Sequence, residues 1–273
     1  MLPAAGTACR RLSVKDKNSI SNTIKVATAV CLVAAIIVST AAVTLRPQQE
    51  ENRNAFRQLN VLQAAGMYER GMDVAAAFER IERRFIEFES GEYADLDSSF
   101  DPIRAARDPA RSRSLEQDPA GIGRQPLHGE VFLARNEQGE LTRVILPVHG
   151  YGLWSTMYGF IALEPDLNTI SGISFFEHGE TPGLGGEIEN PSWQDNWVGT
   201  RLRNPEGELV FRVDRGRTPE GVPDADYRID GLSGATITAN GVQAMVRFWF
   251  GEQGYGPYLR RLSQQLNSDE VLI

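Results

Sequence analysis

The longest run of apolar positions in the chain lies near its N-terminus. Residues 26–45 contain no charged side chain, and Lys25 and Arg46 stand immediately on either side of them. A stretch of about 20 such residues is what an α-helix needs to cross the hydrocarbon core of a bilayer. The pattern therefore predicts one transmembrane helix over residues 26–45.

The charges before this stretch predict its orientation. Five basic side chains and one acidic side chain precede it, namely Arg10, Arg11, Lys15, Lys17, Lys25 and Asp16. The positive-inside rule then predicts a cytoplasmic tail over residues 1–25 and export of everything after Arg46. A cleaved signal peptide is the alternative, because small residues occur around Ala41. Apolar cores of signal peptides usually run about 7–15 residues, so a permanent anchor is favoured.

Two helices are predicted after the span. Residues 47–65 are rich in Gln, Glu, Asn and Arg and end at Gly66, which is typical of a polar helix with a glycine stop. Asp73 is suited to cap a second helix, whose apolar face repeats at spacings of four and three residues. That face consists of Val74, Phe78, Ile81, Phe85 and Phe88. Residues 96–127 contain four prolines and few apolar side chains, and they predict a long irregular connection.

Short stretches of β-branched and aromatic residues then predict a series of strands. They lie at residues 131–134, 144–148, 160–163, 170–176 and 209–213, and an amphipathic helix is predicted over residues 239–251. This order favours an α+β domain with a largely antiparallel sheet flanked by helices. The predicted boundaries give a helical and irregular exported region over residues 46–127, a compact domain over residues 128–262 and a C-terminal tail over residues 263–273.

The charge of the exported part excludes some classes of partner. The whole chain has 28 basic and 36 acidic residues; without the five basic and one acidic residue before Arg46, 23 and 35 remain, a net charge of −12. Such an acidic domain is a poor candidate for binding nucleic acid. The two cysteines, Cys9 and Cys31, precede the exported part. A disulfide or a cysteine-held iron–sulfur cluster within that part is therefore not expected.

Three glycine-rich stretches are the candidates for chemistry, at residues 150–154, 178–186 and 230–238. In the last, small neighbours such as Gly234 and Ala235 allow another molecule to approach the hydroxyls of Ser233 and Thr236 closely. The predicted helix follows at once, with Thr238 or Asn240 able to cap it. A group on Thr236 would lie near a helix N-terminus, where an anion such as phosphate is favoured. A capped turn that merely starts a helix is the alternative.

Other kinds of site fit the residues less well. Ser233 lies in a segment close to the nucleophile elbow of serine hydrolases, but every histidine of the chain precedes it, whereas that fold places its histidine after the serine. A Walker-type phosphate loop needs a lysine, and none follows Lys25. His178 and Glu180 form a thin ligand set for zinc, and a hydrogen-bonding pair is favoured. We expect no metal ligand and no catalytic residue in this chain.

Two of these stretches resemble motifs of a known family. The sequence D-G-L-S-G-A-T-I-T at 230–238 resembles the acceptor of FMN-binding domains that a flavin transferase modifies, and H-G-E-T-P-G-L-G at 178–185 resembles the segment that accompanies it. Residues 152–154 and 254–258 extend the resemblance. It implies covalent FMN on Thr236 through its phosphate. The implied cofactor-binding residues around it are Asp230, Ser233, Gly234, Ala235, His178, Glu180, Thr181, Gly183, Leu184 and Gly185.

Anchor, H-x-E-T-P-G-L-G segment and acceptor, in this order, are similar to the C-type subunits of the sodium-translocating NADH:quinone reductases over nearly the whole chain. The G-type subunit of the Rnf electron transport complex is a relative, and the extended region 47–127 favours the reductase. The resemblance implies an electron-carrying subunit that relays electrons from NADH towards ubiquinone, coupled to sodium export. It also implies other subunits of a membrane reductase, a maturing flavin transferase and a periplasmic domain on the inner membrane.

Two points stay open from the residues alone. Trp154, Tyr158, Trp193 and Trp197 are able to pack on a flavin, although core packing is favoured for most of them. A non-catalytic anchored protein, whose glycine-rich loops hold another phosphorylated ligand or contact a partner, is the second functional hypothesis.

Overall fold

The computed structural model describes residues 19–219 and 221–270 of the chain. Most of the predicted cytoplasmic tail, including Cys9, and residues 271–273 lie outside the described residues. The described residues form two compact units, one that ends at Arg53 and one that begins at Asn54.

A single long helix, α1 (Ile20–Ala64), contains both the predicted span and the polar segment after it. The helix is long and apolar enough to cross a membrane, and no residue in its most apolar part is buried. The polar part is therefore a continuation of the span through Pro47. Gly66 follows the helix with a φ of +68°, a left-handed conformation that suits a glycine stop.

The prediction of a second helix from Val74 to Phe88 is correct only for its first turn. Asp73 caps helix α2 (Val74–Phe78), and its carboxylate accepts hydrogen bonds from the N–H groups of Ala75 and Ala76 at 3.0 and 3.3 Å. The chain then enters strand β1 (Ile81–Glu87), which pairs along its whole length with strand β5 (His128–Arg135). A spacing of four residues, as between Ile81 and Phe85, keeps side chains on one face of a strand as well as of a helix.

The central sheet has six strands, all antiparallel, in the spatial order β2-β1-β5-β6-β7-β8. Beside β1 it contains β2 (Tyr93–Ala94), β5 (His128–Arg135), β6 (Leu141–Tyr151), β7 (Thr156–Leu163) and β8 (Ile170–Glu177). The predicted α+β class with a largely antiparallel sheet is confirmed. The strand predicted at residues 209–213 is reduced to β9 (Arg212–Val213), which pairs in parallel with β10 (Arg228–Ile229).

The irregular connection predicted over residues 96–127 contains three short elements. They are helix α3 (Pro102–Ala105) and the paired strands β3 (Ser112–Ser114) and β4 (Arg124–Pro126). Ala105, Ala120 and Gln125 are buried within it, so the segment packs on the domain although it has little regular structure.

Two hydrophobic cores cover the two faces of the sheet. On β6, Val144, Leu146 and Val148 belong to one core and Ile145 to the other, as the alternation of a strand requires. The larger core includes residues of helices α4 (Pro191–Gln194), α5 (Thr236–Trp249) and α6 (Gly256–Glu270). The smaller one includes Val61 and the rest of the last turns of α1.

The C-terminal helices differ from the predictions in their bounds. The helix predicted over residues 239–251 begins at Thr236 and ends at Trp249. Helix α6 continues to Glu270, so the residues predicted as a C-terminal tail from 263 onwards are helical as far as they are described. The predicted domain boundary at residue 262 lies within this helix.

The end of α1 packs against β8 through a glycine. An added Cβ at Gly172 would overlap with the carbonyl oxygen of Ala64. Close by, the Ser174 hydroxyl donates a hydrogen bond of 2.8 Å to the carbonyl of Asn60. The helix therefore approaches the sheet more closely here than any side chain at position 172 permits.

We predict that Gly172→Ala lowers the free energy of unfolding by about 1–3 kcal/mol, because the methyl group forces α1 away from the sheet. Gly216→Ala is the matched control, since nothing lies within 4 Å of the added carbon and its φ is not in the left-handed region. Urea unfolding of the full-length chain in detergent measures both. Equal stability of the two variants would contradict this packing argument.

Candidate functional site

The three glycine-rich stretches of the sequence meet at one carboxylate, that of Glu180. One of its oxygens, Oε1, accepts hydrogen bonds from the backbone N–H groups of Leu153, Trp154 and Ser155 at 3.0, 2.9 and 3.3 Å. The other, Oε2, accepts from the N–H of Leu153 at 3.2 Å and from the hydroxyl of Thr238 at 2.6 Å. Glu180 thus joins the turn between β6 and β7, its own loop and the first turn of α5.

The charge of Glu180 is stabilised where it is buried. Its residue is only 4% exposed, and burial alone disfavours the ionised form. The hydrogen bonds from Thr238 and from the N–H groups of Trp154, Leu153 and Ser155 outweigh that effect and hold the pKa of Glu180 below its ordinary value. The carboxylate is therefore ionised at neutral pH and acts as an acceptor in all of these hydrogen bonds.

Two glycines leave the space that this carboxylate occupies. An added Cβ at Gly152 would lie 2.6 Å from Oε1 of Glu180. At Gly185 it would lie 2.6 Å from the Thr238 hydroxyl oxygen and 2.8 Å from Oε2 of Glu180. Contacts under 3 Å force a displacement, so the first and second glycine-rich stretches need glycine at these two positions.

The loop that carries Glu180 is a compact turn. The carbonyl of Thr181 accepts hydrogen bonds from the N–H groups of Leu184 and Gly186 at 3.1 and 2.9 Å. Gly183, which lies between Thr181 and Leu184, has a φ of +75°. As a result the Leu184 side chain projects outwards, 44% exposed, and an added Cβ at Gly234 would lie 3.1 Å from it.

The predicted acceptor threonine is the first residue of helix α5. Thr236 is exposed, Ala235 occupies the N-cap position, and no side chain caps the helix. The prediction that Thr238 or Asn240 caps it is wrong. The helix starts earlier than predicted, and Thr238 lies in its first turn, 1% exposed, with its hydroxyl committed to Glu180. The first N–H groups of α5 are thus open beside Thr236.

Two further predicted site residues, Asp230 and His178, make hydrogen bonds within the surrounding loops. Asp230 accepts a hydrogen bond from the N–H of Thr218 at 2.7 Å, and its carbonyl accepts one from the indole of Trp193 at 2.9 Å. His178 accepts from the N–H of Glu180 at 3.1 Å, and its Nε2 lies 3.0 Å from a carboxylate oxygen of Glu189. The structure therefore assigns hydrogen bonds within the loops to Asp230 and His178.

The aromatic residues divide into buried and exposed ones. Trp193 and Trp197 belong to the core, as expected, and Tyr158 stacks on His149 with ring centroids 5.5 Å apart. Trp154 is 64% exposed at the turn that Glu180 holds. The sequence did not single out Thr238 as the partner of Glu180 or Leu153 and Ile237 as exposed apolar neighbours of the site. Polar and apolar residue types alone carry no signal for these contacts.

The arrangement suits a phosphorylated ligand with an apolar part. An exposed hydroxyl at an uncapped helix N-terminus favours a phosphate there through open N–H groups and the positive end of the helix dipole. The exposed side chains of Leu184, Trp154 and Ile237 offer apolar surface nearby. In the described part of the chain, no group of three or more His, Cys, Asp or Glu side chains is placed to hold a metal ion.

Comparisons with known proteins agree with this site. The FMN-binding domain family matches residues 152–251, which include the last three residues of the first glycine-rich stretch and the whole of the other two. The C-type subunit of the Na(+)-translocating NADH-quinone reductase from Yersinia pestis is 44% identical over 257 residues, covering 92% of this chain and 96% of that protein. The corresponding subunit from Neisseria meningitidis serogroup B is 45% identical over 251 residues, covering 90% and 96%.

Two solved structures of C-type subunits are also similar to this chain. The crystal structure of Shewanella oneidensis NqrC has a TM-score of 0.71 and 35% identity, and it covers 76% of this chain and 96% of that one. The corresponding subunit from Parabacteroides distasonis has a TM-score of 0.62 and 27% identity, with coverage of 79% and 96%.

Fold and site together define an FMN-binding flavoprotein domain on a membrane anchor. The chain belongs to the NqrC family, the C-type subunits of the Na(+)-translocating NADH-quinone reductase, which is a multisubunit oxidoreductase complex. The resemblance stated from the sequence is thereby confirmed, and FMN is the cofactor.

The carboxylate of Glu180 gives a pH-dependent prediction. Because its folded pKa is lowered, the unfolded chain binds more protons between the two pKa values. The contribution of the ionised Glu180 carboxylate to the free energy of unfolding is therefore fully present above the ordinary pKa of a glutamate, and it is lost as the pH falls. We predict that Glu180→Gln costs about 1–2 kcal/mol of unfolding free energy at neutral pH and progressively less as the pH falls below the ordinary pKa of a glutamate. Chemical unfolding at each pH measures this, and a pH-independent difference would contradict it.

Proposed function

We propose that this chain carries FMN covalently, as a phosphodiester on Thr236, and passes electrons within the reductase. The observation that carries the proposal is the exposed Thr236 at the open N-terminus of α5, beside the loops that Glu180 holds together. The chain catalyses nothing alone. Within the complex it relays electrons on the path from NADH towards ubiquinone, coupled to sodium export.

The attachment needs a second protein. A threonine hydroxyl is a weak nucleophile, and the reaction needs a base and an activated phosphate. We propose that a flavin transferase supplies the base and a divalent metal and uses FAD as donor. The Thr236 oxygen then forms a bond to the phosphorus of the FMN half, the pyrophosphate bond breaks, and AMP leaves. The hydroxyl proton goes to the transferase's base.

The roles of the chain's own residues follow from their positions. The open N–H groups at the start of α5 hold the negative charge of the phosphodiester. Leu184 and Trp154 offer exposed apolar surface for the isoalloxazine ring. Bound FMN supplies the electron-accepting and electron-donating chemistry, and the protein sets its position and the polarity around it. The covalent bond keeps the cofactor from being lost by an exported protein.

The location in the cell is also part of the proposal. The basic residues before the span favour an N-terminus in the cytoplasm and a domain on the periplasmic side of the inner membrane. The other subunits of the complex and the membrane itself are then the permanent partners of the chain. The flavin transferase is a transient partner on the same side as the domain.

Thr236→Ala should abolish the covalent flavin while leaving the fold intact, because it removes one exposed hydroxyl and a methyl group. In-gel flavin fluorescence after denaturing electrophoresis measures the loss, which should exceed about 95%. Thr236→Ser should retain part of the signal, because it keeps the hydroxyl. Ser233→Ala is the control, since it removes the other exposed hydroxyl of the acceptor segment. A fluorescent band of normal intensity in Thr236→Ala would refute the attachment site.

The topology has its own test. A protease added to intact spheroplasts should digest the domain after Arg46 without lysis of the cells, because that domain is proposed to lie outside the cytoplasmic membrane. Immunoblotting against the C-terminus and against a cytoplasmic control protein follows the digestion. Protection of the domain, or a mature N-terminus that begins after Ala41, would show that the orientation or the anchor is wrong.

A further inference from the structure

We propose that Glu180 is a positioning residue for flavinylation rather than a contact of the flavin. In this proposal, which rests on the proposed function, its carboxylate fixes the first turn of α5 against the turn between β6 and β7. That fixation presents the Thr236 side chain outwards to the transferase. Glu180 thus acts on the reaction through Thr238 and the protein backbone.

The acceptor capacity of Glu180 is used within the protein. Oε1 accepts from three backbone N–H groups, and Oε2 accepts from the Thr238 hydroxyl and shares the N–H of Leu153, at distances between 2.6 and 3.3 Å. Two carboxylate oxygens offer about four lone-pair sites. The residue is also buried, so neither oxygen is left over for a polar group of the cofactor.

The geometry of a helix connects Thr238 to Thr236. With about 3.6 residues per turn, two positions differ by roughly 200° around the axis. A hydrogen bond that draws Thr238 into the protein therefore turns Thr236 to the opposite side. The observed burial agrees, since Thr238 is buried and Thr236 is exposed. Without this bond, the open first turn of α5 has no side-chain cap to hold it.

Glu180 is poorly suited to act as a base for the Thr236 hydroxyl. Its hydrogen-bonding hydroxyl is that of Thr238, and the bonds that it accepts lower its pKa and hence its basicity. The donors to its carboxylate are the backbone N–H groups of residues 153–155 and the Thr238 hydroxyl. The backbone N–H groups of residues 153–155 therefore compensate the charge, which ties its position to the turn.

The test is a double-mutant cycle on the rate of flavinylation. Full-length chain made in cells without the transferase is purified in detergent and mixed with purified transferase, FAD and Mg²⁺. The rate is measured against the concentration of the chain for wild type, Glu180→Ala, Thr238→Val and the double variant. Thr238→Val removes the hydroxyl but keeps the shape, and Thr238→Ser keeps the hydroxyl.

We expect Thr238→Val to lower kcat about tenfold, the size of one hydrogen bond to a charged group, and Thr238→Ser to recover most of the rate. Glu180→Ala should lower kcat further, and the double variant should equal Glu180→Ala because both changes break the same bond. Partial unfolding of a variant would instead raise the apparent KM of the transferase for the chain, because fewer chain molecules are folded and able to bind the transferase. Thr142→Val, which removes a hydroxyl bonded to the Ala134 carbonyl on the sheet, should match wild type.

Two results overturn the proposal. If the effects of Glu180→Ala and Thr238→Val multiply, or if kcat is unchanged in both, Glu180 does not position the acceptor. The proposed function survives that result as long as wild-type protein is labelled on Thr236. If wild-type protein acquires no flavin on Thr236, the proposed function fails and the positioning role fails with it. Should Glu180→Ala not fold, the comparison of Thr238→Val with Thr238→Ser still decides the matter.

Discussion

The site depends on one buried carboxylate that is shared by three segments of chain. Burying an ionised group destabilises the folded state unless the group makes hydrogen bonds there. The carboxylate oxygens of Glu180 accept such bonds from backbone N–H groups and from one hydroxyl. These donors come from segments far apart in the sequence, so the carboxylate is satisfied only when all of them are in place. Gly152 and Gly185 are part of the same arrangement, because any larger residue at either position would displace the Glu180 carboxylate.

The rest of the domain makes this arrangement rigid. The turn that donates to Glu180 is the end of the long β6–β7 hairpin in the middle of the sheet. Helix α5 is fixed by its buried face, where Val242, Met245 and Val246 pack on the larger core. The open end of α5 is therefore held by hydrophobic packing behind it and by the Glu180–Thr238 hydrogen bond at its start. A reactive hydroxyl on such an element has little freedom to move.

The sequence predicted the anchor, the antiparallel sheet and the positions of the glycine-rich segments, because each has a local pattern. The predictions were wrong where the same pattern of residues fits two different local structures. Ile81 and Phe85 fit a helix and a strand equally, and pairing with β5 decides between them. Thr238 fits a helix cap by residue type, but its hydroxyl bonds to Glu180, 58 positions away in the chain. The sequence favoured a hydrogen-bonding role for His178 and Glu180, but it gave no indication that the partners of Glu180 are Thr238 and the backbone of residues 153–155.

The proposed bond between Thr236 and FMN changes the mass of the chain. It is tested by the intact mass of the chain purified from its native membrane, followed by peptide mapping. We expect an added mass of roughly 440 Da, that of FMN less one water, on the peptide that contains Thr236. An unmodified mass in protein made beside its transferase, or the same added mass on Ser233 or Thr238, would contradict it.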